Sequence, residues 1–148
     1  RLDSRYEQFL GVQDTELLAL DPRATIRNLS LGKTAVSDRG LRAISLSNLA
    51  WLDLGYTRIT DAGLADLKAA ASLRQLSLEH TTITDETISQ LGGATELEEL
   101  DLEGTHITDA SADVLSQLVG LTGLWINETG ITPPAEQRIR VALPRLMR

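Results

Sequence analysis

The chain has no cysteine, which excludes a disulfide framework and thiolate-bound zinc and leaves the redox compartment open. Aromatic residues make up 3% of its 148 residues, so any core must be built from Leu, Ile, Val and Ala. Apolar residues reach 42%, enough for one such core, and the length argues for a single domain over 1–148. No run of about 18 apolar residues occurs, so no membrane insertion is expected. The first residue is Arg and no signal-peptide pattern follows it. The expectation is an excised or processed chain, monomeric as an isolated domain, whose compartment the sequence does not record.

Basic residues are also missing from one long stretch. Between Gln75 and Gln137 there is no Lys or Arg, while twelve Asp or Glu fall there. Arg138, Arg140, Arg145 and Arg148 follow at once, and residues 1–74 are nearly balanced. The molecule should be electrically bipolar along its length. A net charge of −7 disfavours nucleic acid, because phosphate binding needs a basic stripe.

What is present is a repeat. Leu-x-Leu pairs fall at Leu29/Leu31, Leu52/Leu54, Leu76/Leu78 and Leu100/Leu102, with Leu124/Ile126 as the last, in steps of 23, 24, 24 and 24. An aliphatic residue stands three positions before each pair: Ile26, Leu49, Leu73, Leu97, Leu121. Thr34, Thr57, Thr81, Thr105 and Thr129 follow at a fixed offset, then Val36, Ile59, Ile83, Ile107 and Ile131. Period-two leucines put one face of a short strand inward, and stacked copies make a parallel sheet. The pairs Ser37-Asp38, Thr60-Asp61, Thr84-Asp85 and Thr108-Asp109 read as helix starts, since their oxygens can accept from first-turn N–H groups. In the last copy Pro133 or Pro134 opens the helix. The Thr column should bond neighbouring backbone where the chain turns out of the strand.

The pattern Leu-x-x-Leu-x-Leu-x-x-Thr-x-Ile-Thr-Asp-x-Gly-Leu resembles the leucine-rich-repeat family, most closely its bacterial members with Thr at the turn column. Gly40 and Gly63 fit its last part, while Thr87 and Ser111 depart from it. That part is also distantly similar to the repeats of F-box receptors, but no F-box-like segment precedes it here. The resemblance implies an α/β fold. It is a right-handed leucine-rich-repeat solenoid forming a short horseshoe arc, with a parallel sheet on the concave face, helices on the convex face and a helical cap at each end. Five repeats cover 24–132. Residues 1–23 hold an N-terminal cap and a half repeat that keeps its helix, from Val12-Gln13-Asp14 onward. Its strand is expected to be lost, because Arg5 and Glu7 occupy the Leu-x-Leu places. Leu2, Tyr6, Phe9 and Leu10 suggest a capping helix over 2–10 instead. Residues 133–148 form the other cap, a helix over 134–142 ending at Leu143-Pro144, with Ile139, Leu143 and Leu146 over the last core layer.

Residues flanking the inward leucines must face out, onto the sheet. They bring Trp51, Asp53, Glu79, Glu99, Asp101, Glu103 and Trp125 to one face, with Tyr56, His80 and Glu128 at the next turn position. These ten are the candidate partner-binding residues. Acids alone read as a solvated surface, but the strand period forces both tryptophans outward, where exposed apolar area is unfavourable unless something covers it. Trp51 could instead lie over Tyr56 or a basic stem, and Trp125 under the C-terminal segment. The expected partner is a protein presenting Arg or Lys beside an apolar anchor, and its binding should weaken with salt. No nucleophile motif, phosphate loop or cofactor signature is found, so no catalytic residue, metal or cofactor is assigned. Gly92-Gly93 reads as a helix stop. The chain is thus read as a non-enzymatic protein-binding module. The alternative is a scaffold or assembly domain of a larger bacterial protein. A remote third is an enzyme or metal site at the His80/His106 face.

Overall fold

The computed structural model describes residues 7–8, 12–19 and 25–147. Six short strands stack in parallel and in chain order: β1 (Glu7–Gln8), β2 (Asn28–Ser30), β3 (Trp51–Asp53), β4 (Gln75–Ser77), β5 (Glu99–Asp101) and β6 (Gly123–Trp125). Leu29, Leu52, Leu76, Leu100 and Leu124 stand opposite one another across β2 to β6, so the repeat spacing is also the strand register. Both members of every Leu-x-Leu pair are buried, and the flanking strand positions face the open side of the sheet. The sheet is open, with β1 and β6 at its edges.

The returning segments are short because each has only about a dozen residues in which to turn and come back. They hold α1 (Asp14–Leu18), α2 (Asp38–Leu41), α3 (Asp85–Ser89), α4 (Ala112–Ser116) and α5 (Pro133–Ala142), with 3₁₀ turns at Leu46–Asn48, Asp61–Leu64, Leu67–Ala69 and Asp109–Ser111. Their apolar residues, among them Leu41, Leu64, Ile88, Leu115 and Ile139, close the core behind the sheet. The Thr column does what its position predicts. The Oγ1–H groups of Thr34, Thr57, Thr81, Thr105 and Thr129 donate to the carbonyl three residues back at 2.6–2.7 Å, which ties off each strand exit.

The Ser/Thr-Asp pairs do more than start helices. Ser37, Thr60, Thr84 and Thr108 cap their own first turns through the side-chain oxygen. Each Asp, however, reaches across to the next repeat. Asp14 accepts from the N–H and Oγ–H of Ser37 at 2.8 and 2.5 Å. Asp38 does the same for Thr60, Asp61 for Thr84, Asp85 for Thr108 and Asp109 for Thr132, at 2.7–2.9 Å throughout. This ladder explains the glycine column and its exceptions. A Cβ at Gly40 would sit 2.5 Å from the Asp14 carboxylate, and one at Gly63 would collide with that of Asp38. Where the column carries Thr87 or Ser111, the hydroxyl instead donates to Asp61, at 2.6 Å, or to Asp85. The departures from the pattern thus add rungs.

The two ends behave differently. At the C-terminus Pro133 opens α5 as expected, one residue before the anticipated start. Ile139 and Leu143 are buried over the last layer, Leu146 packs against it, and the Met147 N–H donates to the Thr122 carbonyl at 2.9 Å. At the N-terminus the helix of the half repeat is present, with a capping box between Gln13 and Glu16. The helix expected over 2–10 is corrected at two of its positions: Glu7–Gln8 is a strand, and the rest of that segment lies outside the described residues. The lost strand is therefore present, with Glu7 opposite Leu29 and Gln8 opposite Ser30. This unit is 22 residues long in register, so aligning it at 24 placed the wrong residues in the strand columns. An open edge at β2 offers unpaired N–H and C=O groups, and backbone pairing satisfies them without any apolar side-chain pattern.

Candidate functional site

The exposed sheet face is built by strand alternation, and its outer lip by backbone strain. After each strand one residue adopts the left-handed conformation: Lys33 (φ 60°), Tyr56 (55°), His80 (50°), Gly104 (67°) and Glu128 (54°). For a non-glycine residue that conformation costs about 1–2 kcal/mol. Hydrogen bonds between repeats hold it in place: the N–H groups of Lys33, Tyr56, His80 and Gly104 donate to Gly55, Glu79, Glu103 and Asn127 carbonyls at 2.7–3.0 Å. The side chains then line up along one ridge. The Lys33 ammonium lies 5.4 Å from the Tyr56 ring centre, a cation–π distance. The Tyr56 and His80 rings stack at 4.6 Å and 27°. The His80 ring covers Gly104, where a Cβ would come within 2.6 Å of its Cε1.

Beside the ridge, Trp51 and Trp125 flank a cleft of about 190 Å³ floored by Gln75, Ser77, Glu99 and Asp101. Trp125 is 42% exposed, so the C-terminal segment does not shield it. Its indole occupies the space left by Gly123 on the same strand, where a Cβ would lie 2.6 Å from Cη2. Trp51 is half-buried. Four of the ten candidates therefore share one cleft, and Tyr56, His80 and Glu128 share the ridge. Glu79 and Glu103 stand in the column between. Asp53 is held by its own repeat neighbours, accepting from the Ser30 hydroxyl and the Gly55 N–H at 3.0 Å each.

The face is electrostatically strained toward negative. Burial, then the charges of Asp101 and Asp53, push the Glu79 carboxyl above the ordinary range. Burial does the same to Asp101, helped by Glu103 and Asp53 and opposed by the Glu103 N–H it accepts at 3.0 Å. The Tyr56 phenol is raised by burial and by Glu79, Glu103, Glu128 and Asp101. Among the described residues, the ion pairs lie elsewhere: Arg74 with Glu96 and Glu98, and Arg140 with Glu136. Among the described residues no group of three His, Asp or Glu side chains is placed to hold a metal. His80 is engaged in the ring stack, and the His106 backbone N–H donates to Ile83 while its side chain is exposed.

Three features escaped sequence reasoning: the left-handed column, the ring stack it creates and the Asp ladder. Only the last had a usable signal, since Asp and Ser/Thr recur 22–23 residues apart in adjoining copies.

The comparisons agree with this architecture. A family model described as Leucine Rich repeat matches residues 94–116, one repeat of the stack. The crystal structure of an internalin from Listeria monocytogenes is similar, with a TM-score of 0.66 at 22% identity, over 82% of this chain and 34% of that one. Leiomodin-1 actin-binding site 2 is similar with a TM-score of 0.53 at 21% identity, over 73% and 70% of the two chains. The chain thus spans about a third of the internalin's length, and at these identities the likeness is one of fold. Among curated proteins no sequence matches. Repeat, register and open parallel sheet together define the class of fold: this chain folds as a leucine-rich-repeat solenoid. No helix among the described residues is long and apolar enough to cross a membrane.

Proposed function

We propose that this chain is a non-enzymatic protein-binding module whose concave sheet face recognises a basic protein partner. The observation that carries the reading is the pairing of two outward tryptophans with carboxylates raised above their ordinary range, on a face without an ion pair among the described residues. Interfaces concentrate their energy in such aromatic anchors. Like charges on adjacent strands are unfavourable in the free protein, and a cationic partner relieves that cost. The open sheet and the shallow cleft suit a contact surface better than an enclosed reaction site. Leiomodin-1, one of the similar folds, has a part named for binding a protein, actin.

The test is capture of proteins from cell extract by the parent chain and by Asp101→Lys/Glu103→Lys, quantified side by side. Specific partners should drop at least tenfold with the double variant, and parent binding should weaken steadily as salt rises. Equal capture by both forms sinks the concave-face reading. Acidification should also weaken binding, and earlier than for ordinary carboxylates, because the raised Asp101 and Glu79 groups take up protons first.

A further inference from the structure

We propose that the cleft between Trp51 and Trp125 seats a single arginine side chain of the partner. This rests on the concave-face reading above and adds to it a specific residue and a place for it. Size comes first. Pockets for small-molecule ligands run to about 300–1,000 Å³, whereas this cleft of about 190 Å³ has room for one long side chain.

The lining then selects the chemistry. Asp101 gives one oxygen to the Glu103 N–H, and its other oxygen accepts no hydrogen bond among the described residues. The Glu99 carboxylate, the Gln75 side-chain carbonyl and the Ser77 hydroxyl likewise accept none there. The floor therefore offers several acceptors, two of them charged, between two indole walls. A neutral apolar side chain would cover the carboxylates and strip their water without replacing its hydrogen bonds. A lysine ammonium is compact and strongly hydrated, and loses more on entering between rings. A guanidinium is flat, weakly hydrated and carries five donors, so it can lie against an indole while forking onto a carboxylate. Among the described residues that line this cleft there is no Lys or Arg. A cation placed on Asp101 also offsets the repulsion from Glu103 and Asp53 that adds to burial in raising its carboxyl.

Trp51 and Trp125 are the only tryptophans, so selectively excited tryptophan emission reports on the walls of this cleft. The experiment titrates the folded chain at low ionic strength with a short blocked peptide carrying one Arg between two Leu. The same peptide with citrulline and with Lys is run in parallel. The Arg peptide should give a saturable change in tryptophan emission, the Lys peptide should bind at least fivefold more weakly, and citrulline should give none. Asp101→Asn and Trp125→Ala should each remove the Arg response, while the distant Glu86→Gln leaves it intact, with circular dichroism verifying that all are folded. Equal responses to Arg and citrulline, or to Arg and Lys, overturn the proposal, as does an unchanged Arg response in Asp101→Asn. If Asp101→Lys/Glu103→Lys abolishes capture of protein partners while the Arg peptide leaves emission unchanged, the concave-face reading stands and the arginine seat fails.

Discussion

Leu100→Ala should remove about 3–5 kcal/mol of stability, the cost of truncating a fully buried leucine in a core that cannot collapse around the gap. Leu100 is completely buried and sits on β5 between Leu76 and Leu124, so its side chain touches the layers on either side. In a stack whose units contact only their neighbours, a central defect weakens two interfaces at once. Single domains have only about 5–15 kcal/mol in total, so the variant should melt roughly 10 °C lower. Leu146→Ala, at the half-buried edge of the last layer, should cost no more than about 1 kcal/mol. Urea unfolding followed by far-ultraviolet circular dichroism measures both. A loss under about 1 kcal/mol at Leu100 would mean that the leucine ladder is not the tightly packed element described here.

The contrast between these two leucines shows why much of the fold was legible. Inward leucines, turn threonines and helix starts recur because each repeat solves the same packing problem, and a solution repeated five times stands out against unrelated positions. The C-terminal cap was legible for the same reason: Ile139 and Leu143 must cover a layer that has no following copy. At the N-terminus the rule reversed. Glu7–Gln8 pairs through backbone groups, which carry no side-chain signature, and its offset of 22 breaks the spacing on which the alignment relied.

The candidate site divides along similar lines. Strand alternation was enough to bring Trp51, Glu99, Asp101 and Trp125 to one face. It could not show that Trp125 lies in space left by Gly123, or that Tyr56 and His80 stack, because both depend on where neighbouring repeats leave room. Left-handed backbone at Tyr56 is uncommon for a bulky residue, and at Tyr56 and His80 alike the repeat beside it accepts the N–H group. Local sequence holds no trace of such an arrangement.

Asp61→Ala should cost about 2–3 kcal/mol, and its effect should depend on pH in a defined direction. Asp61 accepts four hydrogen bonds from the next repeat, from the N–H and Oγ1–H groups of Thr84 and Thr87, at 2.6–3.3 Å. Thr87 is buried, so losing the carboxylate leaves its hydroxyl without that acceptor. Burial works against the Asp61 and Asp85 carboxylates, but the donated hydrogen bonds outweigh it and hold both below the ordinary Asp range. Hydrogen bonds from Ser37 and from Thr132 hold Asp14 and Asp109 there too. A depressed folded value means that this stability is fully present above the unfolded Asp value and is lost as pH falls through the folded one. Glu79 and Asp101 act in the opposite sense. Their raised values make the folded chain bind protons more tightly, so the repulsion they carry is relieved as pH falls through the raised range. Stability should therefore rise slightly on mild acidification and then fall steeply once pH drops below the ordinary Asp range. Asp61→Ala should flatten the steep limb and leave the shallow rise. Asp101→Asn should remove part of the rise and leave the steep limb. Urea unfolding across the acid range separates the two. An acid limb of the same steepness in Asp61→Ala and the parent would show that this rung does not couple the repeats.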